Sequence, residues 1–109
     1  MAADYRIRIA PTGFQSLKAI KDKKILHEIA ASIDGLARNP SNQGKALVKP
    51  LDGIRSLPAL RKRYRILFQV DEEGRTVTIL LVGRRTAQEE TDIYQAAKRL
   101  LKTLLGEEE

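Results

Sequence analysis

Apolar residues and cations alternate near the start of the chain. Tyr5, Ile7 and Ile9 are interleaved with Arg6 and Arg8, the pattern of a half-exposed strand. APTGF then breaks the alternation, and the apolar spacing lengthens. Phe14, Leu17, Ile20, Ile25, Ile29, Ile33 and Leu36 recur at helical intervals, and IKDKK within that run predicts a break between two helices. RNPSNQG, residues 38–44, is expected to end the second helix, because Asn39 precedes Pro40 and turn formers follow. Residues 47–60 hold two prolines and a glycine, so any strand there should be short or at an edge.

Alternation resumes at residues 64–70, with Tyr64, Ile66, Phe68 and Val70 on one face and Arg65, Leu67 and Gln69 on the other. DEEG, residues 71–74, reads as a turn with Gly74 free to take a positive φ. RTVTILLV, residues 75–82, returns as a second strand rich in β-branched residues, which predicts a hairpin. TAQE then has the form of a capping box, Thr86 capping a helix and Glu89 reaching back. Ile93, Ala97, Leu100, Leu101 and Leu104 make one apolar stripe along that helix. This order predicts an α+β fold: a small antiparallel β-sheet with two N-terminal helices packed on one face and a C-terminal helix.

At 109 residues, 42% hydrophobic and 31% charged, the chain is expected to form a single domain, 1–109, around one modest core. Its longest unbroken apolar run is ILLV, residues 79–82, far short of the ~20 residues that span a bilayer. The N-terminal stretch has no signal-peptide hydrophobic core, so a cytoplasmic location without membrane association is expected. Cys is absent, which excludes disulfides, thiolate chemistry and thiolate metal sites. The net charge of +6 is concentrated. Residues 45–85 hold ten cations (Lys45, Lys49, Arg55, Arg61, Lys62, Arg63, Arg65, Arg75, Arg84 and Arg85) against Asp52, Asp71, Glu72 and Glu73, a local excess of +6. Such a surplus points to phosphates or an acidic protein partner.

Few side chains offer chemistry of another kind. His27 is the only histidine and is expected on a helix surface; no Gly-rich phosphate loop follows a strand, and no Ser/His/Asp or Cys/His set can be assembled. Glu89, Glu90 and Asp92 cluster, but acids at a helix start complement the helix dipole without any metal, so neither metal nor cofactor is expected. What remains is a site of arginines and lysines, suited to phosphoryl chemistry because the guanidinium fork matches phosphate oxygens at two points and stays protonated. A tyrosine among arginines can supply the base, since nearby positive charge favours phenolate. Arg65 and Arg85 fall near one end of the hairpin, and Tyr94 either returns over that end or packs in the core.

Those residues carry a resemblance. YRILFQV, an acidic turn, VTILLVGRR and a later DIY, preceded by KPLDG, resemble the RelE/ParE toxin superfamily over roughly residues 5–94. The resemblance implies a microbial-RNase-like fold and the toxin half of a type II toxin–antitoxin pair. By that likeness the chain would cleave mRNA in the ribosomal A site without a metal, the 2′-OH attacking the adjacent phosphate and leaving a 2′,3′-cyclic end. Arg65 matches the strand arginine that stabilises the phosphate. Arg85 matches the arginine at the end of the next strand, a stabiliser and proton donor, and Tyr94 the tyrosine that stacks on the nucleotide or acts as base. Lys45, Lys49, Arg55, Arg61, Lys62, Arg63 and Arg84 would bind substrate. Implied partners are the ribosome, mRNA and a cognate antitoxin, the last forming a hetero-oligomer with the toxin. Alternatives are a ParE-like gyrase inhibitor acting by protein binding, and a non-catalytic nucleic-acid-binding member of the fold.

Overall fold

The computed structural model describes residues 4–84 and 96–100. Strand β1 (Arg6–Ile9) leads into helices α1 (Pro11–Lys18) and α2 (Lys23–Gly35), then a short 3-10 turn at Pro40–Asn42. Strands β2 (Lys45–Ala46), β3 (Arg55–Ala59), β4 (Tyr64–Asp71) and β5 (Thr76–Arg84) follow, and residues 96–100 are helical. The five strands form one sheet in the order β1-β5-β4-β3-β2. Three of its pairings are antiparallel; β1 lies parallel to β5, with Ile7 opposite Val77. Thr86, Glu89, Glu90, Asp92, Ile93, Leu101 and Leu104 lie outside the described residues. Among those described, no helix is long and apolar enough to cross a membrane.

The break expected at IKDKK is made by Asp22. Its Oδ1 accepts the backbone N–H groups of Lys24 (2.9 Å) and Ile25 (3.3 Å), which caps α2 while α1 starts on Pro11. At the other end, Asn39 turns left-handed (φ 48) ahead of Pro40, and the chain leaves the helix. His27 is exposed on α2.

The alternation of β4 divides the apolar residues between two faces. Ile66 and Phe68, both fully buried, join Ile29, Ile33 and Leu36 of the α2 region and Val77, Ile79 and Val82 of β5 in the main core. Leu67 points the other way and packs with Leu51, Ile54 and Ala97. The helical segment at 96–100 therefore lies on the face opposite α1 and α2. Strand β3 is five residues long, and its one proline, Pro58, sits beyond the reach of two-residue β2, where no ladder bond to β2 is lost.

Strand β5 departs from simple alternation. Leu67 pairs with Leu81 and Phe68 with Ile79, so Leu80 is an extra residue in the strand. The bulge turns Leu80 and Leu81 both toward the second cluster and returns Val82 to the main core. Helix α1 satisfies the backbone where β1 stops. The Ala10 N–H donates to the Ile79 carbonyl (2.9 Å), Thr12 Oγ1 donates to the Leu80 carbonyl (2.8 Å), and the Val82 N–H donates to Ser16 Oγ (2.9 Å). This needs close approach, and Gly13 permits it: a Cβ there would lie 2.5 Å from the Ile79 carbonyl oxygen. Gly13→Ala is accordingly expected to lower stability by about 1–3 kcal/mol in urea unfolding, despite alanine's better helix propensity. Seating Gly13 inward leaves Phe14 54% exposed, with Lys18 Nζ 5.7 Å from its ring centroid, although the apolar spacing had placed Phe14 on the buried face.

The β4–β5 turn also differs in detail. Its left-handed residue is Arg75 (φ 49), not Gly74, and the Arg75 guanidinium lies over the Tyr5 ring at 5.4 Å. The Glu72 carboxylate accepts hydrogen bonds from Ser41 Oγ and Tyr5 Oη, tying the turn to the 3-10 segment and to the residue preceding β1. Those bonds, Ser41's first, hold Glu72 below the ordinary glutamate value of 4.5. A depressed carboxylate pKa contributes stability that is present above that ordinary value and lost as pH falls through the folded one. The urea midpoint of Glu72→Gln should therefore fall less than that of the parent chain as pH drops below 4.5. Parallel curves for the two proteins would contradict the tie.

Candidate nucleic-acid interface

The face of β3 and β4 that carries Arg65 opens into a cleft of about 810 Å³. Each wall has a distinct source. Gly44 and Lys45 bring in β2; Leu47 to Leu51 form the loop that follows; Ser56 and Pro58 belong to β3; Lys62 comes from the β3–β4 turn, Arg65 from β4 and Lys98 from the helical segment. Five cations thus face one space, and no carboxylate joins them among the described lining residues. Like charges gathered this way repel one another and create a positive potential that a polyanion relieves.

Arg65 reaches the cleft from β4, the middle strand of the sheet. Its cross-strand partners are Pro58 on β3 and Gly83 on β5, neither of which has a long side chain to cover the guanidinium. Its Nε is buried and has no hydrogen-bond partner among the described residues. A buried donor left unpaired costs about 1–3 kcal/mol, which an anionic oxygen at this position would recover. Lys62 is delivered by a strained turn: Leu60, Arg61 and Lys62 all have positive φ (52, 55 and 71), closed by the Arg63 N–H donating to the Leu60 carbonyl at 3.1 Å. Consecutive non-glycine residues in that region are costly, and strain of this kind concentrates at functional sites. At the other rim, Gly44 (φ 70) passes so close to β3 that a Cβ would meet the Ser56 carbonyl oxygen at 2.6 Å. Lys45, the next residue, lines the cleft. Val48 stands 80% exposed on the loop, an apolar surface amid the cations.

The cations read from the sequence are thus sorted by the fold. Lys45, Lys49, Lys62 and Arg65 come together in the cleft. Arg55 is engaged with backbone, its Nε donating to the Gln43 carbonyl (2.9 Å) and an Nη to that of Gly44 (3.3 Å), which steadies the entry to β2. Arg61 and Arg63 are exposed on the turn and do not line the cleft. Arg84 pairs with Tyr64 and so shares its face, lining a separate groove of about 380 Å³ beside Ile20, Asp22 and Ile25. Arg85 and Tyr94 lie outside the described residues. Lys98 is the cleft residue that sequence reasoning missed, because it falls off the apolar stripe and reads as solvated. Among the described residues no group of three or more His, Cys, Asp or Glu is placed to hold a metal ion.

Comparison with known proteins bears on the chain and the fold that carry this cleft. Residues 7–89 match the family model described as the ParE toxin of the type II toxin–antitoxin system, parDE. Toxin RelG of Mycobacterium tuberculosis is 32% identical over 91 residues, covering 84% of this chain and 97% of the relative. Toxin RelE of the same organism is 29% identical over 83 residues, 76% of this chain and 84% of its own length. Among solved structures, the toxin–antitoxin complex RelBE2 from M. tuberculosis contains a chain that superposes with a TM-score of 0.68 at 32% identity, over 78% of this chain and 95% of that one.

Proposed function

This chain belongs to the ParE toxin family of type II toxin–antitoxin systems, and from that premise we propose that it is a ribosome-dependent endoribonuclease, cleaving mRNA in the A site and so halting translation. The observation that carries the reading is the cleft: Arg65, whose buried Nε has no partner among the described residues, with Lys45, Lys49, Lys62 and Lys98. In the proposed reaction the message's own 2′-OH attacks the adjacent phosphorus. The 2′ oxygen loses its proton to a base, the P–O5′ bond breaks, and the departing 5′ oxygen takes a proton. The products are a 2′,3′-cyclic phosphate and a 5′-OH. Because the nucleophile belongs to the substrate, the protein's tasks are orientation, charge neutralisation and two proton transfers. Arg65 neutralises the charge that builds on the equatorial phosphate oxygens, and the lysines hold the flanking phosphates. Arg85 as proton donor and Tyr94 as base or stacking residue follow from the family resemblance. The toxin acts in the cytoplasm and is silenced by a cognate antitoxin in a hetero-oligomer that covers the basic face.

The second reading is a gyrase-directed toxin that works by protein binding, favoured by the name of the matching family model. Controlled expression in bacteria separates the two. Mapping the 5′ ends of translated messages is expected to show new ends within codons soon after induction, without a DNA-damage response. Intact messages accompanied by DNA damage would overturn the nuclease reading in favour of the gyrase one.

A further inference from the structure

We propose that Lys98 is a phosphate-binding residue of the cleft, supplied by a wall that neither the strands nor the β2–β3 loop provides. The inference deepens the nucleic-acid reading and rests on it. Three observations carry it. Ala97, 2% exposed, packs with Leu51, Ile54 and Leu67, so the helical segment is seated on the sheet by the residue next to Lys98. Leu100 lines a small apolar hollow together with Ala97, Leu67, Leu80 and Leu81, the last two being the residues that the β5 bulge turns to this face. With Ala97 and Leu100 both turned toward the sheet side, the helical advance of roughly 100° per residue carries Lys98 off that stripe, where it is exposed and lines the same cleft as Arg65 and Lys62. Leu51 belongs to both the cleft wall and the second apolar cluster, so the same packing that seats the helix also shapes the site.

A single-stranded polyanion bound by phosphate contacts loses affinity with salt at a slope of about −0.7 per contact. Deleting one contact weakens binding and flattens that slope, whereas loss of packing or loop order lowers affinity and leaves the slope unchanged. The test uses the purified full chain and a short fluorescent single-stranded RNA, titrated at several salt concentrations. Lys98→Ala is expected to weaken binding roughly three- to tenfold at low salt and to reduce the slope by about 0.7. Lys98→Arg should bind like the parent chain, Lys98→Glu should bind more weakly than Lys98→Ala, and Lys18→Ala, over on the Phe14 side, should change nothing. Affinity and slope unchanged in both Lys98→Ala and Lys98→Glu, while Arg65→Ala weakens binding, would overturn the assignment of Lys98 and leave the cleft reading standing. No change in any of the three would overturn both.

Discussion

Arg65→Ala is expected to leave the chain folded and to lower its cleavage of translated message by about a hundredfold or more. The folded state tolerates the change because Arg65 Nε has no hydrogen-bond partner to abandon among the described residues, and because Pro58 and Gly83 do not lean on a long neighbouring side chain. The proposed reaction should not tolerate it, because this guanidinium lines the cationic cleft and its Nε has no partner among the described residues. Arg65→Lys separates charge from geometry. A lysine restores a positive charge but not the planar fork that grips two phosphate oxygens, so it should recover part of the loss and leave a deficit in rate larger than the deficit in RNA affinity. Thermal unfolding in parallel checks the fold. Full activity in a folded Arg65→Ala chain would remove Arg65 from the site.

Phe68→Ala carries the largest expected cost in stability, about 3–5 kcal/mol in urea unfolding. Phe68 is fully buried in the main core, among residues from α2, β3 and β5. It also lies where the β4–β5 register shifts, opposite Ile79 and one step from the extra residue Leu80. A void there withdraws support from the side chains that hold the bulge in place, and the bulge orients Leu80 and Leu81 beneath the cleft's helical wall. A domain of this size is stable by roughly 5–15 kcal/mol, so the variant should be marginal at 37 °C and its midpoint should fall with little change in slope. Phe68→Leu, which keeps most of the volume, should lose markedly less. A loss below about 1 kcal/mol for Phe68→Ala would mean that the core is not centred where it is described.

The particular elements show which physics a sequence exposes. Strand β4 was legible residue by residue, because period-two alternation maps directly onto its two faces: Ile66 and Phe68 joined the helices, Leu67 and Arg65 the opposite side. Strand β5 was legible as a strand but not in its facing, since an inserted residue resets the alternation and ILLV gives no local sign of where. That reset also explains Arg84, whose pairing with Tyr64 carries it to the helix side and away from the lysines with which charge counting had grouped it. The parallel direction of β1 was hidden for a different reason, because a strand's own pattern is silent about its partner. In the same way Gly13 reads as a poor helix residue until β5 is seen against it. For the site, concentration of charge between residues 45 and 85 was visible, whereas its sorting into cleft, backbone tether and solvent depended on the tertiary fold. Lys98 was invisible because it reaches the cleft by helix packing rather than by position in the chain.

The proposed activity is cutting of RNA by this basic cleft on the ribosome. Its most direct test adds the purified chain to ribosomes programmed with a message whose next codon occupies the A site, and then analyses the RNA ends. Cleavage within that codon is expected, with a 2′,3′-cyclic phosphate on the upstream fragment, and both should disappear with Arg65→Ala. Message that stays intact under wild-type protein, while the same preparation inhibits gyrase supercoiling, would contradict it.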